Sequence, residues 1–268
     1  MSRMKLSLNT ATVKRASLAE SARLCAEHGI TGIGPWRDVI AEAGGAKAAR
    51  KLLDGHGLSV TSLCRGGFFT TPGGVDDTRR AIEEAAILGT GELVLVVGGL
   101  HPGSKDLPAA RRIVAEALQR LAPHAAQHGV RLAIEPLHPM FCADRAVVST
   151  LAQALDLAEP FAPQEVGVVV DTYHLWWDPT LFEQIARARG RISIYQVCDW
   201  VVPLPADMLL GRGHVGDGHI DFLPITDAVR KAGYDGYVEV EIFNQEIWDA
   251  PPDQTVATVK ARWDLVGV

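Results

Sequence analysis

The chain has 268 residues, 47% of them apolar and 22% charged, with a formal net charge of −6. That is ample material for a large core. The acidic balance, without a dense Lys/Arg run, argues against nucleic acid or an anionic membrane surface as partner. No apolar run is long enough to span a bilayer and no leader-like segment opens the chain, so a cytoplasmic location is expected.

Short β-rich runs alternate with helical stretches along the whole sequence, the pattern of a parallel sheet built from βα units. The strands are expected at 4–9, 30–34, 58–63, 92–97, 130–135, 166–171, 192–197 and 237–242. Between the first two, Ser17-Leu18-Ala19-Glu20 is a capping box and Gly29 a helix stop. Between the fourth and fifth, Leu107, Ala110, Ile113, Val114, Ala117, Leu118 and Leu121 form an apolar stripe at helical spacing. Pro108 suits that helix's first turn, and Pro123 is expected to kink or interrupt it. The stretch 199–221, rich in Gly and Pro, follows the seventh strand and is long enough to suggest a functional loop. Eight strands with seven crossovers and no GxGxxG after the first favour an α/β chain folded as one (β/α)8 TIM barrel over residues 1–268. An open doubly wound sheet is the rival.

The cysteines (Cys25, Cys64, Cys142, Cys198) show no CxxC pair, the pattern of free thiols in a reducing compartment. Cys64 and Cys198 lie near strand ends, but nothing in the sequence activates a thiol there, so packing is the better reading.

Glu135, Asp171, Gln196 and Glu241 end four of the expected strands. A barrel gathers strand ends at its catalytic face. Side chains alternate along a strand, so Ala133 shares a face with Glu135, Val169 with Asp171, Ile194 with Gln196 and Glu239 with Glu241. The opposite positions (Leu132/Ile134, Val168/Val170, Val238/Val240) are apolar, as helix-facing residues should be. Any one such acid could be solvated or cap a helix. Three crowded carboxylates and an amide oxygen together call for a divalent cation. All-oxygen donors suit Mg²⁺ or Mn²⁺ best, with Zn²⁺ or Co²⁺ as alternatives. Parity also points Glu239 into the barrel below Glu241, and Lys5, on the neighbouring first strand, is the expected partner for its charge.

These motifs resemble the xylose-isomerase-like TIM-barrel superfamily, which includes sugar phosphate isomerases and epimerases, inosose dehydratase and the type IV endonucleases. The matching stretches are Ile134-Glu135-Pro136-Leu137-His138-Pro139, Asp171-Thr172-Tyr173-His174, Gln196-Val197-Cys198-Asp199, Gly216-Asp217-Gly218, and Gly233-Tyr234-Asp235-Gly236 leading to Val240-Glu241-Ile242-Phe243. They cover the second half of the chain. The resemblance implies that Glu135, Asp171, Gln196 and Glu241 are metal ligands, although the family more often has His at the position of Gln196. It also implies that Glu135 and Glu241 exchange the substrate proton. His174, in D-x-x-H, and Arg212, four residues before Gly216, would contact substrate.

Four further substrate-binding candidates follow from position at the catalytic face. Arg65 after the third strand could bind a carboxylate or phosphate, and Trp36 after the second could pack on a sugar. His138 and His101 could contact substrate or organise their loops, and His214 and His219 in the long loop are weaker candidates.

The function so implied is a metal-dependent isomerase or epimerase acting on a small keto-sugar or polyol through an enediolate. The alternative is a dehydratase of a keto-inositol or keto-sugar. An abasic-site endonuclease fits poorly, since Leu210 and Arg212 stand where that branch requires Asp and His. A non-catalytic sugar-binding module would need no carboxylate pair. The expected partner is a small carbohydrate, with no nucleic acid and no membrane. A homo-oligomer is left open.

Overall fold

The computed structural model describes residues 4–266. Its parallel strands are β1 (Lys5–Asn9), β2 (Gly32–Gly34), β3 in two pieces (Ser59–Val60 and Leu63–Gly67), β4 (Glu92–Val96), β5 (Arg131–Ile134), β6 (Val166–Asp171), β7 (Ile192–Val197) and β8 (Tyr237–Val240). Their order runs from the first piece of β3 through β2, β1, β8, β7, β6, β5 and β4 to the second piece of β3. The sheet therefore begins and ends on one strand. This is the α/β TIM barrel, nearly closed, with helices around it.

The third strand departs from the expected 58–63. Its first piece pairs with β2 and its second with β4, so it changes neighbour at Thr61-Ser62. The two residues between the pieces turn their hydroxyls into the barrel, while the Thr61 N–H still donates to the Ile33 carbonyl at 2.9 Å.

The expected strand faces are seen. Leu132, Ile134, Val168, Val170, Val238 and Val240 belong to the main core beneath the helices. Ala133, Val169 and Ile194 join Cys64 and Val94 in a separate apolar plug inside the barrel. That plug is a dry floor under the upper strand ends.

Local signals behave mostly as read. Ser17 Oγ accepts from the Glu20 N–H at 3.2 Å and starts the helix Leu18–Glu27, and Gly29 follows its end at φ +65°. The helix Leu107–Gln127 starts on the Asp106 cap and carries Pro108 in its first turn. Two expectations fail there. Pro123 does not interrupt the helix, being close enough to its end that little of the ladder depends on it. Ile113 is exposed, because the buried stripe (Ala110, Val114, Ala117, Leu118, Leu121) is narrower than the apolar pattern.

The segment 199–221 is ordered by a two-stranded antiparallel ribbon, Asp199–Trp200 with Arg212–Gly213. Asp199 is buried and accepts backbone N–H bonds from Trp200, Gly216, Gly218 and Ile220 at 2.8–3.0 Å. One carboxylate thus folds the loop that returns Arg212 to the barrel mouth. Among the described residues, no helix is long and apolar enough to cross a membrane.

Candidate active site

The four strand-end residues converge. Glu135, Asp171, Gln196 and Glu241 are all buried at the upper end of the barrel. Glu135, Glu241, His174 and Arg212 border a cavity of about 150 Å³ walled by Trp36, Phe68 and Phe243 among others. All four cysteines are free, and burial pushes the Cys64 and Cys198 thiols well up, with neighbouring carboxylates adding to it. These are not activated nucleophiles.

Asp171 Oδ1 accepts from the Tyr173 N–H at 2.8 Å, capping the short turn that carries His174. The His174 Nδ1 accepts from the His138 backbone N–H at 3.1 Å. The remaining proton of a neutral imidazole must then sit on Nε2. That atom is 3.8 Å from Asp171 Oδ2 and 4.0 Å from Glu135 Oε1. Burial lowers His174 well below its ordinary value, and the Arg212 charge acts the same way, so the ring is neutral. His138 contributes its backbone, while its ring rests near Trp177 and Trp200.

Arg212 is fully inside the cluster. Its Nη1 donates to Glu241 Oε2 at 3.0 Å, to Asp171 Oδ2 at 3.3 Å and to the Glu241 carbonyl at 3.3 Å. The guanidinium lies 4.8 Å from each of the Tyr173 and Phe243 ring centroids. Its Nη2 stands 3.1 Å from His174 Nε2. Since both atoms carry hydrogens, this is a contact of two donors and not a hydrogen bond.

The acids respond to this setting. Burial raises Glu135 well above the carboxylate range, with Glu241 and Asp171 adding repulsion. Burial likewise lifts Glu241 to about 7, against the pull of Arg212. Glu135 has no hydrogen-bond donor on its carboxylate among the described residues and faces the cavity.

Below them lies a network that the sequence reading missed. Glu239 accepts from Asn9 Nδ2 (2.8 Å), Gln196 Nε2 (3.0 Å), Thr61 Oγ1 (2.7 Å) and Ser62 Oγ (2.9 and 3.1 Å). Lys5 is not its partner. Lys5 starts its strand at the lower rim and is exposed, with Nζ 5.7 Å from the Tyr237 ring centroid. Strands β1 and β8 are neighbours as expected, with Ser7 opposite Glu239. The charge is met instead by neutral donors, two of them supplied by the break in β3. The broken strand could not be read from the sequence, so neither could its donors.

The remaining candidates separate. Arg65 and Trp36 border the cavity, and Trp36 Nε1 donates to Asn9 Oδ1 at 2.9 Å. His101 is exposed on its loop beside the Pro102 carbonyl and does not border the cavity. Arg145, not singled out in the sequence, does.

The family model described as xylose isomerase-like TIM barrel matches residues 22–263. The chain belongs to the xylose isomerase-like TIM-barrel family. It is 30% identical over 156 residues to an inosose isomerase of Bacillus velezensis, an alignment covering 57% of this chain and 54% of that one. It is 25% identical over 270 residues to a 3-dehydroshikimate dehydratase of Pseudomonas putida, covering 95% of this chain and 40% of that one. The chain spans about half the length of the inosose isomerases it matches. A solved structure of a Sinorhizobium meliloti 1021 protein is 49% identical, with TM-score 0.92 over 96% of each chain. The named relatives are enzymes of isomerase, epimerase and dehydratase type.

The site fits the divalent metal that the family implies. Gln196 Oε1 is buried without a hydrogen-bond partner. Glu135 and Asp171 present carboxylate oxygens within 4.8 Å of one another. A buried orphan acceptor costs about 1–3 kcal/mol, and a cation among these oxygens would remove that cost.

Proposed function

We propose that this chain is a divalent-metal-dependent isomerase or epimerase acting on a small keto-sugar or polyol by proton transfer through an enediolate. The observation that carries it is the pair Glu135 and Glu241. Both are buried and both border one cavity, on strands that approach it from different sides of the barrel. Two carboxylates facing one cavity can take a proton from a bound substrate and return one to it.

Glu135, Asp171, Gln196 and Glu241 would hold the metal, with Mg²⁺ or Mn²⁺ favoured by the all-oxygen set. When bound, the ion supplies positive charge beside the oxygens of the substrate's carbonyl and adjacent hydroxyl. Glu135 takes the proton from the carbon next to the carbonyl, and that C–H electron pair moves to form the enediolate. Glu241 returns a proton to carbon, which sets the new configuration or moves the carbonyl. His174 Nε2–H can hydrogen-bond a substrate oxygen, and the aromatic walls exclude water.

A dehydratase is the second reading, favoured by the dehydratase relative whose alignment covers 95% of this chain. There the same enediolate expels a hydroxide, which leaves as water with a proton from Glu241, while His174 Nε2–H hydrogen-bonds the departing oxygen. Incubating the metal-loaded protein with ketoses and keto-inositols in D₂O separates the two by NMR. Deuterium at the carbon without loss of water supports the isomerase, and loss of water the dehydratase. Neither event on any of them, or exchange that persists in Glu135→Gln and Glu241→Gln, would sink both.

A further inference from the structure

Two cations on the cavity wall take no part in that chemistry. Arg65, on the second piece of β3, lies 4.0 Å from the Phe68 ring centroid, and among the described residues nothing forms a hydrogen bond or ion pair with it. Arg145, on the loop after β5, has a buried Nε with no hydrogen bond. Its nearest carboxylate is the exposed Asp144, 3.7 Å away and beyond hydrogen-bonding reach.

Other part-buried arginines in this protein are engaged. Arg37 binds Glu84 and Asp77 at 2.6–3.0 Å, and Arg131 binds Glu92. Arg191 donates to three backbone carbonyls. Arg65 without an ion pair, and Arg145 with only the long contact to exposed Asp144, leave two weakly engaged guanidinium groups that repel each other beside one cavity. Burial lowers Arg65 from its ordinary value; Cys64 and Asp77 offset part of this, while Arg145 and Arg37 repel it. Deeper in the site, Asp171 and Glu241 are engaged by Arg212 and Glu239 by neutral donors, so none of these three pairs with the two outer arginines.

We propose that Arg65 and Arg145 form a carboxylate-binding subsite, so that the substrate is a small hydroxylated ketone carrying a carboxylate. The inference rests on the proton-transfer reading of the same site and adds the substrate's charge. A guanidinium fork matches a planar carboxylate in two parallel hydrogen bonds. Phe68 backs the Arg65 plane and holds it at the cavity edge. The polyol end then lies over Glu135 and Glu241, with the acid group at the arginines.

Calorimetric titration of the Mn²⁺-loaded protein tests this with three probes: quinate, which is a carboxylated cyclitol, neutral myo-inositol, and a pentulose phosphate. Quinate is expected to bind at least roughly tenfold more tightly than myo-inositol. That preference should fall in Arg65→Met and in Arg145→Met, disappear in the double variant, and return in part with Lys at both positions. Circular dichroism confirms that each variant is folded. No quinate binding, equal affinity for quinate and inositol, or a preference surviving in the double variant would overturn the subsite. Tighter binding of the pentulose phosphate would replace the carboxylate with a phosphate. Deuterium exchange on neutral ketoses is scored separately, so the subsite can fail while the proton-transfer reading stands, and the reverse.

Discussion

Gln196 donates through Nε2 to Glu239 Oε1 at 3.0 Å, and that bond leaves Gln196 Oε1 as a buried acceptor without a partner. An amide can be turned either way, and an ionised carboxylate, which only accepts, decides which way. Glu239 is thus a positioning residue for the oxygen proposed to meet the metal. In Glu239→Gln the new side chain can both donate and accept, so the Gln196 amide loses its fixed orientation. Dication affinity measured by calorimetry is expected to fall by about 10–100-fold, the usual effect of losing an outer hydrogen-bond partner of a ligand. Unchanged affinity in a folded variant would refute the positioning role.

The same carboxylate explains a glycine. A Cβ at Gly34 would lie 2.4 Å from Glu239 Oε2, so Gly34→Ala must push the carboxylate away from Thr61 and Ser62. Overpacking of this kind costs about 1–3 kcal/mol. The expected outcome is a lower melting temperature together with weaker dication binding. Gly45→Ala, whose Cβ meets nothing within 4 Å but whose φ is +90°, controls for backbone strain without touching the network. A loss of dication binding in the control as well would remove Glu239 from the explanation.

Much of the upper end of the barrel was legible because period-2 alternation is strict. Once Glu135 and Asp171 are placed at strand ends, parity alone puts Ala133 and Val169 inside the barrel, where they are found. The break at Thr61-Ser62 was not legible, since a strand that changes partner still reads as one β-rich run. Its donors to Glu239 are therefore absent from the sequence reading, and Lys5, placed by parity and strand adjacency, sits one rung too low and exposed at the rim. Arg145 was missed for a different reason. It belongs to an irregular loop, and no periodicity links it to a strand end. The position of Arg212 between Asp171 and Glu241 depends on the ribbon organised by Asp199, a tertiary arrangement that the sequence motif does not encode.

Protonation provides a further test in metal-free protein. Glu241 is raised from an ordinary value of 4.5 to about 7, chiefly by burial. The folded state therefore binds more protons than the unfolded chain between those values, and this group makes stability fall as pH rises through pH 4.5 to about 7. Glu241→Gln removes the titration. In chelator, the stability of the variant relative to the parent is expected to improve across that window, at about 1.4 kcal/mol per unit of pKa shift removed. His174 is present in both proteins, and the lowering of Glu135 once the Glu241 charge is gone acts in the same direction. Parallel stability curves would show that Glu241 is not raised.

Arg212 and the dication make opposing demands on the same oxygens. Without metal, the Nη1 contacts to Asp171 Oδ2 and Glu241 Oε2 offset carboxylate repulsion. A cation held by those residues would take over that task and relieve the donor-to-donor contact between Arg212 Nη2 and His174 Nε2. In Arg212→Met the metal-free protein keeps buried carboxylates without their counter-ion, a loss of about 3–5 kcal/mol for a broken buried pair. Metal then has more to repair and no guanidinium to displace. Mn²⁺ is expected to raise the melting temperature of Arg212→Met by more than it raises that of the parent protein, while proton exchange on substrate weakens if Arg212 also contacts the bound ketone. Thermal melts across a Mn²⁺ titration measure the first effect independently of turnover. A smaller Mn²⁺ response in the variant would mean that Arg212 supports the cation instead of competing with it.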